Sequence, residues 1–276
     1  ASRRRIADFI GAPDEAEVIF TRGATESINL VAYTFGLSQL MEGDEIMLSE
    51  MEHHSNIVPW QIVCAMKKAN IKVIPILDDG TLDMEWFERN LNAKTKLVSV
   101  THVSNALGTI NPVEEIIRLA HQQGIPVMLD GAQATPHMSI NVKKLDVDFY
   151  AFSSHKMYGP TGMGVLYGKS SWLNLLPPWH GGGEMIAEVK WSGTTYNKLP
   201  FKYEAGTPDI AGAIGLAAAC EYINQFDRDG LLQYEQALLT ACTKAMESIP
   251  GVRTVGTAPH KASVYSFIID GLHPYD

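Results

Sequence analysis

Cysteine is scarce in this chain: three in 276 residues, with Cys64, Cys220 and Cys242 far apart and no CxxC pair. An odd number at such spacing excludes a disulfide framework and a thiolate zinc site, and it fits a reducing cytosol. Positive charge is also in deficit. Twenty-two Lys and Arg against 31 Asp and Glu leave a formal charge of −9, so the broad basic surface that nucleic acid requires is missing. The one basic cluster, Arg3-Arg4-Arg5, is short enough to read as the solvated face of an N-terminal helix. No apolar run approaches the roughly 20 residues of a membrane span, and no signal-peptide pattern opens the sequence. Internal repeats and low-complexity tracts are absent too. Both ends look abrupt: Ala1–Ile10 reads as a helix entered midway without a cap, and the chain stops soon after the strand-like run Val264–Ile269. The expectation is a cytoplasmic protein without membrane or nucleic-acid partners, continuing beyond both ends.

What is present is an ordinary globular composition, 46% hydrophobic and 19% charged, long enough for one large domain and part of another. From Val18 to about Gly168, short apolar runs alternate with helical patterns. Strands are expected at Val18–Phe20, Glu45–Leu48, Lys72–Ile76, Lys96–Val100, Val127–Leu129, Phe149–Phe152 and Gly164–Tyr167. Helices are expected between them at about 24–39, 55–69, 83–91 and 111–124. The last has Asn111 as N-cap, Pro112 at its first position and Gly124 at its end. Near-continuous apolar strands separated by helices predict an α/β fold, a mostly parallel sheet sandwiched by helices. Residues 170–208, with Gly181-Gly182-Gly183, read as a long loop that could reach a neighbouring subunit. Helices at about 211–224 and 229–248 follow. The division is 1–222 as a large domain and 223–276 as part of a smaller α+β domain.

In a sheet of this kind ligands bind beyond the carboxyl ends of the strands, and the informative residues cluster there. Lys156 follows an apolar strand in the run FSSHKMYGP, among glycines and aromatics rather than charges. Asp130 ends another, after Val127-Met128-Leu129. An amine that can form an imine, with a carboxylate that can keep a pyridine nitrogen protonated, is what pyridoxal phosphate requires. Burial near a second cation would lower the lysine's pKa and free its lone pair. A structural salt bridge is the other reading of Asp130, since a buried carboxylate needs a compensating group in any case.

The flanking residues each keep two readings. Gly23, Ala24 and Thr25 can cradle a phosphate at a helix N-terminus or simply cap the helix. His53 can stack on a planar ring and move a proton, or sit at the surface. Asn105 can reach a ring hydroxyl or a substrate carboxylate, or form a turn. Gln133 can donate to a ring hydroxyl, and Ser153 with His155 can hold phosphate. The run GPTGMG (159–164) joins strand to strand, so it is no dinucleotide fingerprint.

Taken together, seven segments resemble the group II cysteine desulfurases (SufS/CsdA type) of the class V aminotransferase superfamily. They are TRGATESINLVA (21–32), GDEIMLSEMEHHSNIVPW (43–60), HVSNALGTINP (102–112), LDGAQATPH (129–137), DFYAFSSHKMYGPTGMGVLYG (148–168), GGGEMI (181–186) and FKYEAGTPDIAGAIGL (201–216). They occur in the family's order and cover most of the chain. The resemblance implies the pyridoxal-phosphate type I fold. It also implies Lys156 as Schiff-base lysine, Asp130 at the ring nitrogen, Gln133 at the ring hydroxyl and His53 stacked on the ring. Ala24, Thr25, Ser153 and His155 would form the phosphate cradle, with Asn105 near cofactor and substrate. Thr207 would reach the phosphate across a homodimer interface. Such enzymes take sulfur from L-cysteine, leaving L-alanine and an enzyme persulfide, and pass it to a SufE-type acceptor for iron–sulfur cluster assembly.

Four departures stand out. The family's RxGHHC-like cysteine segment, its substrate-carboxylate arginine and its N-terminal segment are not in this chain. Ala24 replaces a threonine common in the motif. The three cysteines match no motif and read as ordinary buried thiols. The alternatives are a selenocysteine lyase, another class V enzyme of the kynureninase or epimerase kind, or a degenerate scaffold.

Overall fold

Apolar strands that cannot face water and helices with one apolar stripe have one joint solution, a sheet covered on both faces. The computed structural model, which describes residues 1–273, has that form. Helix α1 (Ser2–Ile10) is followed by β1 (Val18–Thr21), α2 (Ala24–Gln39), β2 (Glu45–Ser49), α3 (Val58–Lys67) and β3 (Asn70–Ile74). Then come α4 (Met84–Asn90), β4 (Thr95–Thr101), α5 (Val113–Gln122) and β5 (Val127–Asp130). The single-turn helices α6 (Ala134–His137) and α7 (Val142–Leu145) lead to β6 (Phe149–Ser153) and β7 (Gly164–Gly168). These seven strands form one sheet in the order β1-β7-β6-β5-β4-β2-β3. From β6 to β3 every pair is parallel, and β7 alone runs against its two neighbours. The carboxyl ends of β1, β2, β4, β5 and β6 therefore share one edge of the sheet.

Two cores sit on the two faces, and strand alternation assigns residues to them. Val18, Met47, Leu129, Tyr150, Phe152 and Val165 pack with α1, α5 and the later helix α9 (Ile210–Ile223). Ile19, Leu48, Met128, Phe149, Ala151 and Leu166 pack with α2 and α3 on the other side. Each such large side chain contributes roughly 1.5–3 kcal/mol by leaving water.

The loop expected over 170–208 holds more order than its composition suggests. It contains α8 (Ser170–Leu175) and an exposed hairpin of β8 (Ile186–Lys190) and β9 (Gly193–Tyr196). Beyond α9, α10 (Arg228–Glu247) leads to β10 (Val252–Val255), which pairs antiparallel with β11 (Ser266–Ile269). Two local readings are corrected. Asn111 does not cap α5: the N-cap is Pro112 without a side-chain bond, while the buried Asn111 Nδ2 donates to Thr101 O at 2.8 Å. Gly124, by contrast, does sit in the left-handed region just past the helix, at φ 69°. The arginine cluster is not uniformly solvated either. Arg4 and Arg5 make exposed pairs with Asp8 and Glu221. Arg3 turns inward, donates to both carboxylate oxygens of Glu204 at 2.7 and 2.8 Å, and lies 4.1 Å from the Phe20 ring centre.

Candidate active site

Each residue of the site hangs from a strand end on the shared edge. Asp130 is the last residue of β5, paired with Thr101 of β4 and Ala151 of β6. It is 5% exposed, and among the described residues its carboxylate takes one hydrogen bond, from Ala132 N at 3.0 Å. Burial pushes its pKa up, while the positive charges of Lys156 and His53 pull the other way. The lysine and the histidine thus both reach Asp130 at one edge, though 26 and 77 residues of chain separate them from it. A buried carboxylate with a single donor still lacks its main compensating group. A protonated ring nitrogen has the right charge and hydrogen-bonding sense to supply it, so the residues present fit pyridoxal phosphate.

Most of the other predicted residues lie in turns that follow strands of this sheet. Lys156 ends the 3₁₀ turn Ser154–Lys156 directly after β6 and is half-buried. His53, exposed, accepts from Ser55 N through Nδ1 at 3.2 Å. That bond ties Nδ1 to the turn, and the ring lies 5.6 Å from the His54 ring, tilted by 46°. Asn105 is exposed in the turn after β4, and Gln133 is half-buried as N-cap of α6. Neither side chain has a hydrogen-bond partner among the described residues, so both are free to meet a ligand.

The phosphate cradle differs in detail from expectation. The Ala24 amide already donates to Ser153 Oγ at 2.8 Å. Ser153 then has its own hydroxyl hydrogen to offer outward, and the exposed Thr25 at the start of α2 adds a second hydroxyl there. His155 is exposed beside Lys156. Thr207 is not with this group: it lines a cleft of about 430 Å³ with Arg22, Glu26, Trp179 and His180, and none of Lys156, Asp130 and His53 lines that cleft.

Glycines make the close packing possible. A Cβ on Gly131 would meet the Tyr150 ring at 2.1 Å, and one on Gly164 would come within 2.3 Å of Gly23 Cα. Sequence reasoning missed Glu52, His102 and Tyr150, all buried near Asp130. His102 Nδ1 and Tyr150 Oη lie 3.1 Å apart, and burial lowers the histidine to about 4, which keeps it neutral. A glutamate directly before His53, just past the end of β2, was the available signal for the first of these.

The cysteines are only partly as expected. Cys64 and Cys220 are buried, and burial pushes their thiols up to about 11 and about 12. Cys242 is exposed on α10, contrary to the reading of all three as buried thiols.

Comparison with known proteins places this geometry. The family described as "Aminotransferase class-V" matches residues 1–276. The chain belongs to that family. Within the class V family it is 48% identical over 274 residues to a protein named cysteine desulfurase from Synechococcus elongatus, covering 99% of this chain and 44% of the relative. A cysteine desulfurase of Escherichia coli (strain K12 / DH10B) is 48% identical over 275 residues, covering 99% of this chain and 68% of the relative. Among solved structures, the cysteine desulfurase CsdA of Escherichia coli superposes with a TM-score of 0.96 at 39% identity, covering 100% of this chain and 69% of that one. The chain thus spans less than half of the Synechococcus relative and about two thirds of the Escherichia coli ones. The sheet, with its mostly parallel strands between helices, is the fold of these class V proteins.

Proposed function

We propose that this chain is the cofactor-binding part of a pyridoxal-phosphate-dependent cysteine desulfurase. In this reading residues 1–222 form the large domain and 223–276 the beginning of a smaller one. The observation that carries the proposal is the buried, singly bonded carboxylate of Asp130 facing the charges of Lys156 and His53 at one sheet edge. Relatives named cysteine desulfurase at 48% identity support the choice of L-cysteine as substrate.

Lys156 would hold the cofactor through its aldehyde carbon, Asp130 would keep the ring nitrogen protonated, and His53 would lie against the ring face. Asn105 and Gln133 would meet the ring hydroxyl or the substrate. Ala24, Thr25, Ser153 and His155 would surround the phosphate. Bound there, pyridoxal phosphate supplies an electron sink for charge developing at the substrate carbon. Lys156 Nζ and His53 Nε2 are the two groups of the edge able to move a proton.

A persulfide-forming thiol is a separate requirement. Cys64 and Cys220 are buried with raised pKa values, and Cys242 stands on a helix outside the site, so that thiol would come from outside residues 1–276. Thr207, lining a cleft apart from Lys156, fits a homodimer in which a second copy brings it to the phosphate. The sulfur would pass to a SufE-type acceptor for iron–sulfur cluster assembly. Free thiols and the want of a membrane-crossing helix among the described residues agree with a cytoplasmic setting.

The test has two stages. The whole polypeptide is loaded with pyridoxal phosphate, reduced with borohydride and mapped by mass, with the adduct expected on Lys156. It is then given L-cysteine, and alanine and sulfide are measured. Cofactor bound at Lys156 with no product above blank would overturn the desulfurase reading.

A further inference from the structure

Glu52 is a carboxyl that the reading above leaves without a role, although it sits one residue before His53 and is 8% exposed. Its Oε1 accepts from Thr101 N at 2.8 Å and lies in short contact with Ser49 Oγ. Its Oε2 accepts from Asn56 Nδ2 at 2.7 Å. The orientation of Asn56 is forced, because its Oδ1 accepts from Trp60 Nε1, a donor only, at 3.0 Å and from Ser99 Oγ at 2.7 Å. Asn56 and Thr101 can therefore only donate to Glu52. Ser49 Oγ donates to the same Oε1, and among the described residues no cation pairs with this buried carboxyl.

These bonds connect two strand ends and a turn. Ser49 closes β2, Asn56 belongs to the turn that carries His53, and Thr101 closes β4 beside Asp130. All three hydrogen-bonding partners are neutral. Asp130 is the charged group acting on Glu52, and its sign repels a second negative charge. Burial, the largest influence, pushes Glu52 up to about 8. The three donors pull it down and Asp130 adds to the rise.

We propose that Glu52 is a positioning residue that works as a neutral carboxylic acid, tying the His53 turn to the strand beside Asp130 without adding a second negative charge. Two neighbouring buried carboxyls with divided roles, one neutral and one charged, are a recurrent device of catalytic sites. A charged Glu52 would raise Asp130 further and let it retain a proton that a bound ring nitrogen needs. The ring-facing part of this inference rests on the cofactor reading above; the protonation of Glu52 does not.

The experiment therefore starts with cofactor-free protein labelled at its glutamate side-chain carbons. NMR across pH 4–10 is expected to show one carboxyl titrating near 8 that disappears in Glu52→Gln. The sign for stability follows. A carboxyl raised on folding gives stability that is complete below its ordinary pKa, near 4.5, and lost as pH rises through about 8. The wild type should lose stability relative to E52Q across that window, and the gap should stay constant above it. If E52Q does not fold, the assigned wild-type resonance decides alone, and a Glu52 that titrates below pH 6 overturns the proposal.

The positioning role is read separately on loaded protein. Glu52→Ala should weaken pyridoxal phosphate binding roughly tenfold at pH 7, about the worth of one buried hydrogen bond. Binding by the wild type should weaken above pH 8 while E52Q stays level. Identical pH profiles for the two would overturn the role. Failure of the wild type to bind pyridoxal phosphate would overturn the cofactor reading instead, because the carbon titration is measured without it.

Discussion

Replacing Gly164 with alanine should damage the phosphate side of the site from a position that touches no ligand. Gly164 opens β7, paired with Thr21 on one side and Ser153 on the other. Its absent Cβ would stand 2.3 Å from Gly23 Cα and 2.7 Å from the Gly23 N and C atoms, all of them backbone. Relief to an ordinary contact requires the loop between β1 and α2 to retreat by about 1 Å, which overpacking data put at roughly 1–3 kcal/mol. The same retreat stretches the 2.8 Å bond from Ala24 N to Ser153 Oγ past useful length, adding about 0.5–1.5 kcal/mol. The sum of roughly 2–4 kcal/mol should lower Tm by roughly 5–10 °C at this chain length. Affinity should separate by ligand: pyridoxal phosphate should bind roughly ten- to a hundredfold more weakly, whereas pyridoxal without the phosphate should change little. Thermal unfolding and equilibrium titration with the two ligands measure both effects. Unchanged Tm with equal losses for the two ligands would refute the packing argument.

Further expectations concern charge and exposure. Asp130→Asn keeps the acceptor for Ala132 N but removes a buried charge whose pKa is already raised, so the cofactor-free protein should gain about 1–3 kcal/mol in urea unfolding while cofactor binding and turnover fall. An alkylating agent at pH 8 should label Cys242 first, with Cys64 and Cys220 reacting only on unfolding, as peptide mass mapping would report. The cluster His121–Asp148–Lys169 should give stability a pH dependence. The Asp148 bond raises His121, so its contribution is complete below the ordinary histidine value and lost as pH rises through the raised one. For Asp148, burial works upward, but the bonds from His121 and Val127 N, with the charge of Lys169, leave its pKa lowered. That contribution is present above the ordinary aspartate value and lost as pH falls through the lowered one. His121→Gln should flatten the neutral limb of stability measured against pH.

Much of the molecule was legible without coordinates because its determinants are local. Short, near-continuous apolar runs marked β1 to β7, and helix punctuation such as Gly124 after α5 marked a boundary. Lys156 and Asp130 stood out because a strand ending in a charge is costly unless something meets that charge. Their meeting, along with that of His53, needed only the rule that parallel strands bring their carboxyl ends to one edge. Composition misled over 170–208, where glycines suggested a loop but the chain closes a hairpin through its own backbone bonds.

Tertiary structure alone decided what depends on neighbours distant in sequence. Arg3 read as solvated because nothing local showed Glu204 waiting 201 residues away. Asn111 had the sequence of a helix cap, but Thr101 O offered its side chain a buried partner. The Ala24 amide was claimed by Ser153 across 129 residues, and Glu52 acquired its partners only when β2 and β4 came side by side. Sequence determines hydrogen bonds and burial within a turn or strand. Which polar groups must satisfy one another across the sheet is settled only when packing brings them together and removes water as an alternative partner.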